Sequence, residues 1–359
     1  MTVPVVDLST FRHGTFRDKR SVAADFDRAC RDIGFLVVSG HSVPQSVQTT
    51  LYETGKAFFD QPLSHKLKAR RPQPEQNRGY IPYGEERLVR MHGGDSPPDF
   101  KEVFAMGPYA FPDEPYYTQA AAYPNFAPNI WPICTPSLRV AMETYYRAME
   151  TLTHTLSRVA ALALELPEDW FDLKLDRHTS HLRLLHYPSP EEELESGQLR
   201  CGEHTDLGAL TILRNEAVPG GLEVRDRDGD WVAAPALSNT FVVNIGDLMM
   251  RWTNDRWTST PHRVAVPSAD LRHASRRLSI AYFVRPNFDA PIACIPSCSS
   301  ADNPPRYETT TLQDYAVSRF AAGAGLSSNC LTSLSLAKPE LSISDLERQG
   351  GLHAKVVRN

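Results

Sequence analysis

Residues Gly202–Leu213 read "GEHTDLGALTIL", a β-prone apolar run that carries a histidine and an aspartate two positions apart. Along a strand, residues i and i+2 share a face, so one strand is expected to aim His204 and Asp206 into the same space. Burying either group without a partner is costly. The pair therefore sits at a wet strand end or holds something. Alone, His-x-Asp is a weak signal, because a chain of 359 residues can carry one by chance.

Working outward, the chain from Ser180 onward breaks into short β-prone runs. "HLRLLHYP" ends at Pro188, and Glu191–Arg200 reads as a solvated, mobile charged loop. "GGLEVRDRDGDWVAA" is an expected hairpin with Asp228–Gly229 at its turn. "TFVVNIGDLMMRWT", "HRVAV" and "RRLSIAYFVRP" complete the strand series. That spacing predicts an antiparallel double sheet. Upstream, "VPVVDLS" suits an edge strand, "KRSVAADFDRACRDIG" a helix ending at Gly34, and "SVQTTLYETGKAFFDQP" a second helix before Pro62. Leu67–Pro136 lacks a clear period and reads as long loops with short elements. A long helix then runs to Leu166, with Ser137 as its expected N-cap. "TTLQDYAVSRFAAGA" is a last expected helix. The fold class is α+β: a double-stranded β-helix (jelly-roll) barrel wrapped by N-terminal and C-terminal helices. The expected parts are a helical and loop region over 1–175, the catalytic barrel with its helix over 176–325, and a poorly specified tail over 326–359.

A hydrophobic content of 41% and a charged content of 23% are those of a globular domain, and the net charge is −5. Neither a nucleic-acid footprint nor a polybasic membrane patch is expected. The opening "MTVPVVDLST" lacks the basic-then-apolar build of a signal peptide. Cys30, Cys134, Cys201, Cys294, Cys298 and Cys330 form no CxxC pair and read as reduced thiols. A cytoplasmic protein is expected, with its oligomeric state left open.

His262, in "TSTPHRVAV", stands at the entrance to another expected strand. Two histidines and one carboxylate on neighbouring strands make the facial triad of a non-haem Fe(II) centre, which leaves three coordination positions free. Further on, "SRRLSIAYF" places Arg277 and Ser279 on one strand face. A guanidinium beside a hydroxyl is a ready clamp for a carboxylate. Arg276 then faces the other way, towards solvent. The ordered set His-x-Asp, His, Arg-x-Ser is far more specific than any member.

This set resembles the isopenicillin-N-synthase-like family of 2-oxoglutarate/Fe(II) dioxygenases, and the resemblance spans roughly residues 3–320. "IGFLVVSGHSVP", "NRGYIPYGEE", "PDFKEVFAMG", "NIGDLMMRWTND" and "STPHRV" carry it beyond the triad. Within the family the likeness is greatest to the fungal thymine-7-hydroxylase group and related fungal oxygenases. The resemblance implies His204, Asp206 and His262 as iron ligands, with Arg277 and Ser279 on the distal carboxylate of 2-oxoglutarate. Tyr187, in "LLHYP", matches a tyrosine that contacts the co-substrate. Leu185 replaces the asparagine of plant members, so a co-substrate contact there is lost. The implied reaction consumes O2, converts 2-oxoglutarate to succinate and CO2, and oxidises a C–H bond of a small molecule; ascorbate is a candidate reductant.

For the substrate, the resemblance points to Arg183 and Phe283 on strands and to the loop Asn77–Tyr80. Leu207 follows the His-x-Asp pair where thymine-hydroxylating members carry an aromatic ring, and is expected to offer a rounded apolar wall. A cyclic, apolar secondary-metabolite intermediate with an oxygen or carboxylate for Arg183 fits better than a free nucleobase. Hydroxylation, desaturation and ring rearrangement would use the same residues. Competing readings are a 2-oxoglutarate-independent iron oxidase, a thymine-type nucleobase hydroxylase, a zinc hydrolase on His178 and His181 (for which a surface pair is the simpler account), and a catalytically dead cupin-like binding protein. Asn244 and Asp247 read as a structural turn at a strand end.

Overall fold

The stretch 202–213 is two strands, not one. The computed structural model describes residues 2–89, 94, 96–191 and 193–324. In it, β6 (Cys201–His204) belongs to one sheet and β7 (Leu210–Arg214) to another, with a corner between them. Gly208 lies in that corner, where an added Cβ would stand 2.5 Å from the Val284 carbonyl oxygen. The missing side chain lets the backbone press that close.

The other strands are β1 (Val5–Asp7), β2 (Phe35–Ser39), β3 (Gly79–Ile81), β4 (Glu102–Met106), β5 (His181–Tyr187), β8 (Leu222–Arg225), β9 (Trp231–Ala233), β10 (Phe241–Ile245), β11 (His262–Val264) and β12 (Arg277–Val284). The major sheet runs β1-β2-β10-β7-β12-β5-β4-β3 and the minor sheet β6-β11-β8-β9. The two face each other as a jelly-roll barrel, with β1 at an edge and β8–β9 as the expected hairpin.

Period-2 alternation divides the core. Leu278, Ile280, Tyr282 and Val284 of β12 pack with the helices, in one cluster with Leu152, Leu156 and Phe26. Ala281, Phe35, Val37, Leu213, Leu222 and Val224 pack between the sheets. The helices are Phe16–Asp32, Gln45–Phe59 and the 27-residue Ser137–Ala163. A capping box between Thr15 and Asp18 starts the first of these, and Gly34, at φ +68, follows its end.

Several expectations need correction. Ser137 is the first helical residue; Pro136 occupies the N-cap and no side chain caps the helix. "TFVVNIGDLMMRWT" is strand only as far as Ile245, and Asp247–Trp252 is helical. The short elements expected among the loops of 67–136 include β3 and β4, and β4 is buried along its whole length beside β5. The N-terminal region thus supplies four strands to the major sheet. The charged loop before β6 ends in an anchored residue: Arg200 is wholly buried and donates to the carbonyls of Tyr187, Pro188 and Ser275. The expected tail lies outside the described residues. No helix among the described residues is long and apolar enough to cross a membrane.

Candidate metal centre and active site

The corner places Asp206, and strand pairing places both histidines. His204, the last residue of β6, pairs directly with His262 of β11. Asp206 lies beyond β6, held where its carbonyl accepts from the Asp247 N–H at 2.7 Å. His204 Nε2 lies 3.8 Å from Asp206 Oδ1, and His262 Nε2 lies 3.7 Å from Oδ2. One ligand atom from each of the three falls within 4.8 Å of the others, and no other such group occurs among the described residues.

The surrounding hydrogen bonds fix how these groups present themselves. His204 Nδ1 contacts the Gly202 carbonyl at 2.8 Å, and His262 Nδ1 the Thr260 carbonyl at 3.0 Å. A carbonyl only accepts, so Nδ1 carries the proton and Nε2 keeps its lone pair for a metal. Asp206 Oδ2 accepts from the Thr211 hydroxyl at 2.6 Å and from the Asn244 amide at 2.8 Å. Oδ1 is left to a cation. Burial works to raise the Asp206 pKa, but the two imidazoles and these hydrogen bonds overcome it and hold the carboxylate ionised. Burial, then His204, pushes His262 down to about 4, so its ring is neutral. Two imidazoles with their Nδ1 atoms engaged elsewhere and one carboxylate are the donor set of an Fe(II) facial triad.

The cavity between the sheets is lined by these three residues together with Thr211, Asn244, Lys101, Arg183, Leu185, Tyr187, Cys201, Arg277, Ser279 and Phe283. Arg277 is 1% exposed. Its hydrogen bonds go to neutral acceptors: Ser279 Oγ at 2.8 Å, the Glu216 carbonyl at 3.1 Å and Asn215 Oδ1 at 2.5 Å. No carboxylate among the described residues engages its fork, which leaves the charge for an anionic ligand. Tyr187 pairs with Arg277 across β5 and β12, and burial raises its pKa, so it stays a hydroxyl. A larger hollow of about 560 Å³ on another side of Arg277 reaches none of the other candidate residues.

On the substrate side, Arg183 and Phe283 line the cavity. Arg183 is also ion-paired with Glu86, and Phe283 stacks on His181 with centroids 4.8 Å apart. Three expected wall residues are elsewhere. Leu207 turns into the helix-side core, because the backbone reverses after Asp206. Tyr80 is also core, its hydroxyl donating to Glu102 at 2.5 Å. Asn77 is not among the lining residues; its carbonyl accepts from Arg78. His178 and His181 form no metal site: His178 contacts Glu150 at 3.1 Å, while His181 is buried within β5 and is no surface residue. Arg276 is half-exposed, held by Asp60 and His186.

Sequence reasoning missed Thr211, Lys101 and Glu86, and took Asn244 for a turn residue. Thr211 sits in the same quoted stretch as Asp206, where a hydroxyl in an apolar strand was the available signal. Lys101 is fully buried, bound to Asp99 at 2.5 Å and facing Glu86 at 3.4 Å. Burial would raise the Glu86 pKa, yet Arg183 and Lys101 bring it down to about 2.

Comparison with known proteins follows the same lines. A family model described as the N-terminal part of a non-haem dioxygenase in morphine synthesis matches residues 3–133, and the 2OG-Fe(II) oxygenase superfamily model matches residues 178–286. The chain is a 2-oxoglutarate/Fe(II) oxygenase. This oxygenase is 33% identical over 316 residues to the 2-oxoglutarate-Fe(II) type oxidoreductase hxnY of Emericella nidulans, covering 87% of each chain. It is 36% identical to the proline hydroxylase buaE of Petromyces alliaceus over 80% of its own length and 89% of that protein. Among solved structures it resembles full-length Neurospora crassa thymine-7-hydroxylase in complex with alpha-KG and thymine. The TM-score is 0.77 at 30% identity, covering 89% of this chain and 96% of that one. Members of the family use Fe(II) and 2-oxoglutarate on small molecules, and the donor set here fits that metal.

Proposed function

We propose that this oxygenase oxidises a C–H bond of a small cyclic organic molecule, a secondary-metabolite intermediate. In the hydroxylating form, R–H, O2 and 2-oxoglutarate become R–OH, succinate and CO2. The observation that supports this is the sharing of one cavity by His204, Asp206 and His262 with the Arg277–Ser279 pair. In this reading the three ligands hold Fe(II), which supplies the oxygen chemistry. Arg277 and Ser279 grip the distal carboxylate of 2-oxoglutarate, and Tyr187 donates to it. Thr211 and Asn244 keep the Asp206 carboxylate oriented. Arg183 and Phe283 offer the substrate a cation and an aromatic face. Ascorbate serves as external reductant. A cytoplasmic setting belongs to the same reading, supported by the five described cysteines, all unpaired.

A thymine-type activity is the second reading, favoured by the likeness to the thymine-bound Neurospora structure. With Leu207 in the core, the lack of an aromatic ring at that position is no argument against a flat pyrimidine. The test is purified protein with Fe(II), 2-oxoglutarate and ascorbate, assayed for succinate and for oxidised product. The panel holds cyclic and heterocyclic compounds, with thymine and free proline included. Substrate-dependent succinate is expected from a cyclic metabolite. O2 consumption indifferent to 2-oxoglutarate would mean an iron oxidase, and 5-hydroxymethyluracil formed as efficiently as any product would mean a nucleobase hydroxylase.

A further inference from the structure

The cavity-facing side of β12 does not end with the strand. Arg277, Ser279, Ala281 and Phe283 alternate onto it, and the same period carries one step further to Arg285. Arg285 thus lies one step beyond Phe283 in that period, past the last strand residue Val284 and outside the cavity's own lining. The stem of Arg285 runs along the metal-bearing corner: a Cβ on Gly208 would lie 3.5 Å from its Cγ.

Arg285 differs from the guanidiniums around it. Arg183 is neutralised by Glu86, and Arg78 donates to the carbonyls of Asn77, Asn125 and Ala127. No described carboxylate pairs with Arg285, which is what sets it apart; its buried Nε, like that of Arg183, has no hydrogen-bond partner among the described residues. Burial, then Arg183 and Arg78, pushes its pKa down to about 10, so it remains a cation at neutral pH. After burial, the same three arginines hold the neighbouring His181 neutral, and it adds no further charge. Arg285 as a whole is half-buried, but its Nε is shielded, and a shielded donor left unused is costly unless an acceptor completes it. One free fork matches one monoanion, and a carboxylate accepts it in bidentate fashion.

We propose that the prime substrate is a carboxylic acid whose carboxylate reaches past the Phe283 end of the cavity and is held by Arg285. This rests on the reading of the cavity as a 2-oxoglutarate oxygenase site and adds the substrate's chemical class. Arg285 is then the specificity-determining residue, while Arg183, its charge taken by Glu86, supplies shape and a single donor.

The experiment loads the whole protein with Fe(II) under anaerobic conditions and saturates it with 2-oxoglutarate. Benzoate, 2-naphthoate and cyclohexanecarboxylate are then titrated by calorimetry, each beside its carboxamide. A binding carboxylate should exceed its amide by roughly tenfold or more, the size of a charge-assisted hydrogen bond. In Arg285→Met that preference should fall to within about twofold, and Arg285→Lys should keep part of it, as loss of the fork but not of the charge predicts. A wild-type panel in which no carboxylate out-binds its amide overturns the proposal. So does a preference that survives unchanged in Arg285→Met. If that variant does not fold, Arg285→Lys decides: an acid preference identical to wild type overturns the proposal, and a partial loss supports it. Binding of 2-oxoglutarate, titrated separately in the same samples, reports on the co-substrate reading, so its failure is distinguishable from failure of the acid proposal.

Discussion

At one end of the cavity, Arg277, Ser279 and Tyr187 stand on facing positions of two central strands; at the other, Arg183, with Phe283 two registers away on β12, pairs with Glu86, which arrives from irregular chain before β4 and is itself faced by Lys101. The first end is fixed by a ladder of backbone hydrogen bonds and by neutral acceptors around one guanidinium. The second depends on ion pairs contributed from outside the barrel. Loops tolerate change better than the ladders they join. One barrel can therefore keep its co-substrate and alter its substrate by redesigning only the second end.

The centre between the two ends should be the most sensitive to change. His204→Ala, Asp206→Ala and His262→Ala are each expected to reduce iron-dependent turnover to background, with far-UV circular dichroism unchanged because the residues ligate and do not fill the core. Full activity in any one of them, with metal controlled, would undo the ligand assignment.

Next in size is a test of whether the ends act separately. Arg277→Lys keeps the charge but loses the bidentate fork. The loss of one charged hydrogen bond, roughly 1.5–3 kcal/mol, should raise the KM for 2-oxoglutarate by about 10- to 150-fold. The KM for the prime substrate should move far less. Equal rises in both would show that the two ends are not independent. Asn244→Ala then probes the support behind the metal. Removing an outer partner of a ligand typically costs about 10- to 100-fold in metal affinity or activity, and iron titration should show a loss in that range. Unchanged iron affinity would make Asn244 the turn residue that its sequence context suggested.

How far the sequence was legible follows the same division. Arg277 and Ser279 alternate with Leu278, Ile280 and Tyr282, so period 2 alone put the clamp on one face and the core on the other. The His204–Asp206 pair was read correctly as convergent, but for an incomplete reason. The two residues meet because the chain turns a corner between sheets, which no local period reports. At the substrate end the signals were non-local. Tyr80 looks like a binding aromatic until Glu102, Lys66 and His186 are seen to form a buried polar network around its hydroxyl. The same Glu102 opens β4, and the apolar run that follows it is too short to stand out from the loops around it. Leu207 needed the direction of the corner. Glu86 and Lys101 needed the ion pairs that only folding assembles.

The smallest expected effect concerns stability and again separates the ends. His181, 3% exposed, lies at the substrate end against Phe283. Burial, followed by Arg285, Arg183 and Arg78, lowers its pKa well below the ordinary 6.5. The sign follows from proton binding. Between its folded value and 6.5 the unfolded chain binds the proton more readily than the native one, so acidification favours unfolding. The stabilisation is complete about a unit above pH 6.5 and is lost as the pH falls through that value, by about 1.4 kcal/mol in all at one unit below. His262 and His41 also lie below their ordinary value and add to the slope, so the comparison must be with a variant. His181→Phe removes the titration while keeping a ring against Phe283. Chemical-denaturation curves at pH 7.5, 6.5 and 5.5 should show wild type losing about 1 kcal/mol relative to the variant across the acid step, and about a third of that across the neutral one. A constant difference at all three values would mean that His181 is as free to take a proton in the native protein as in the unfolded chain, and that the arginine cluster beside it exerts no field on the substrate end.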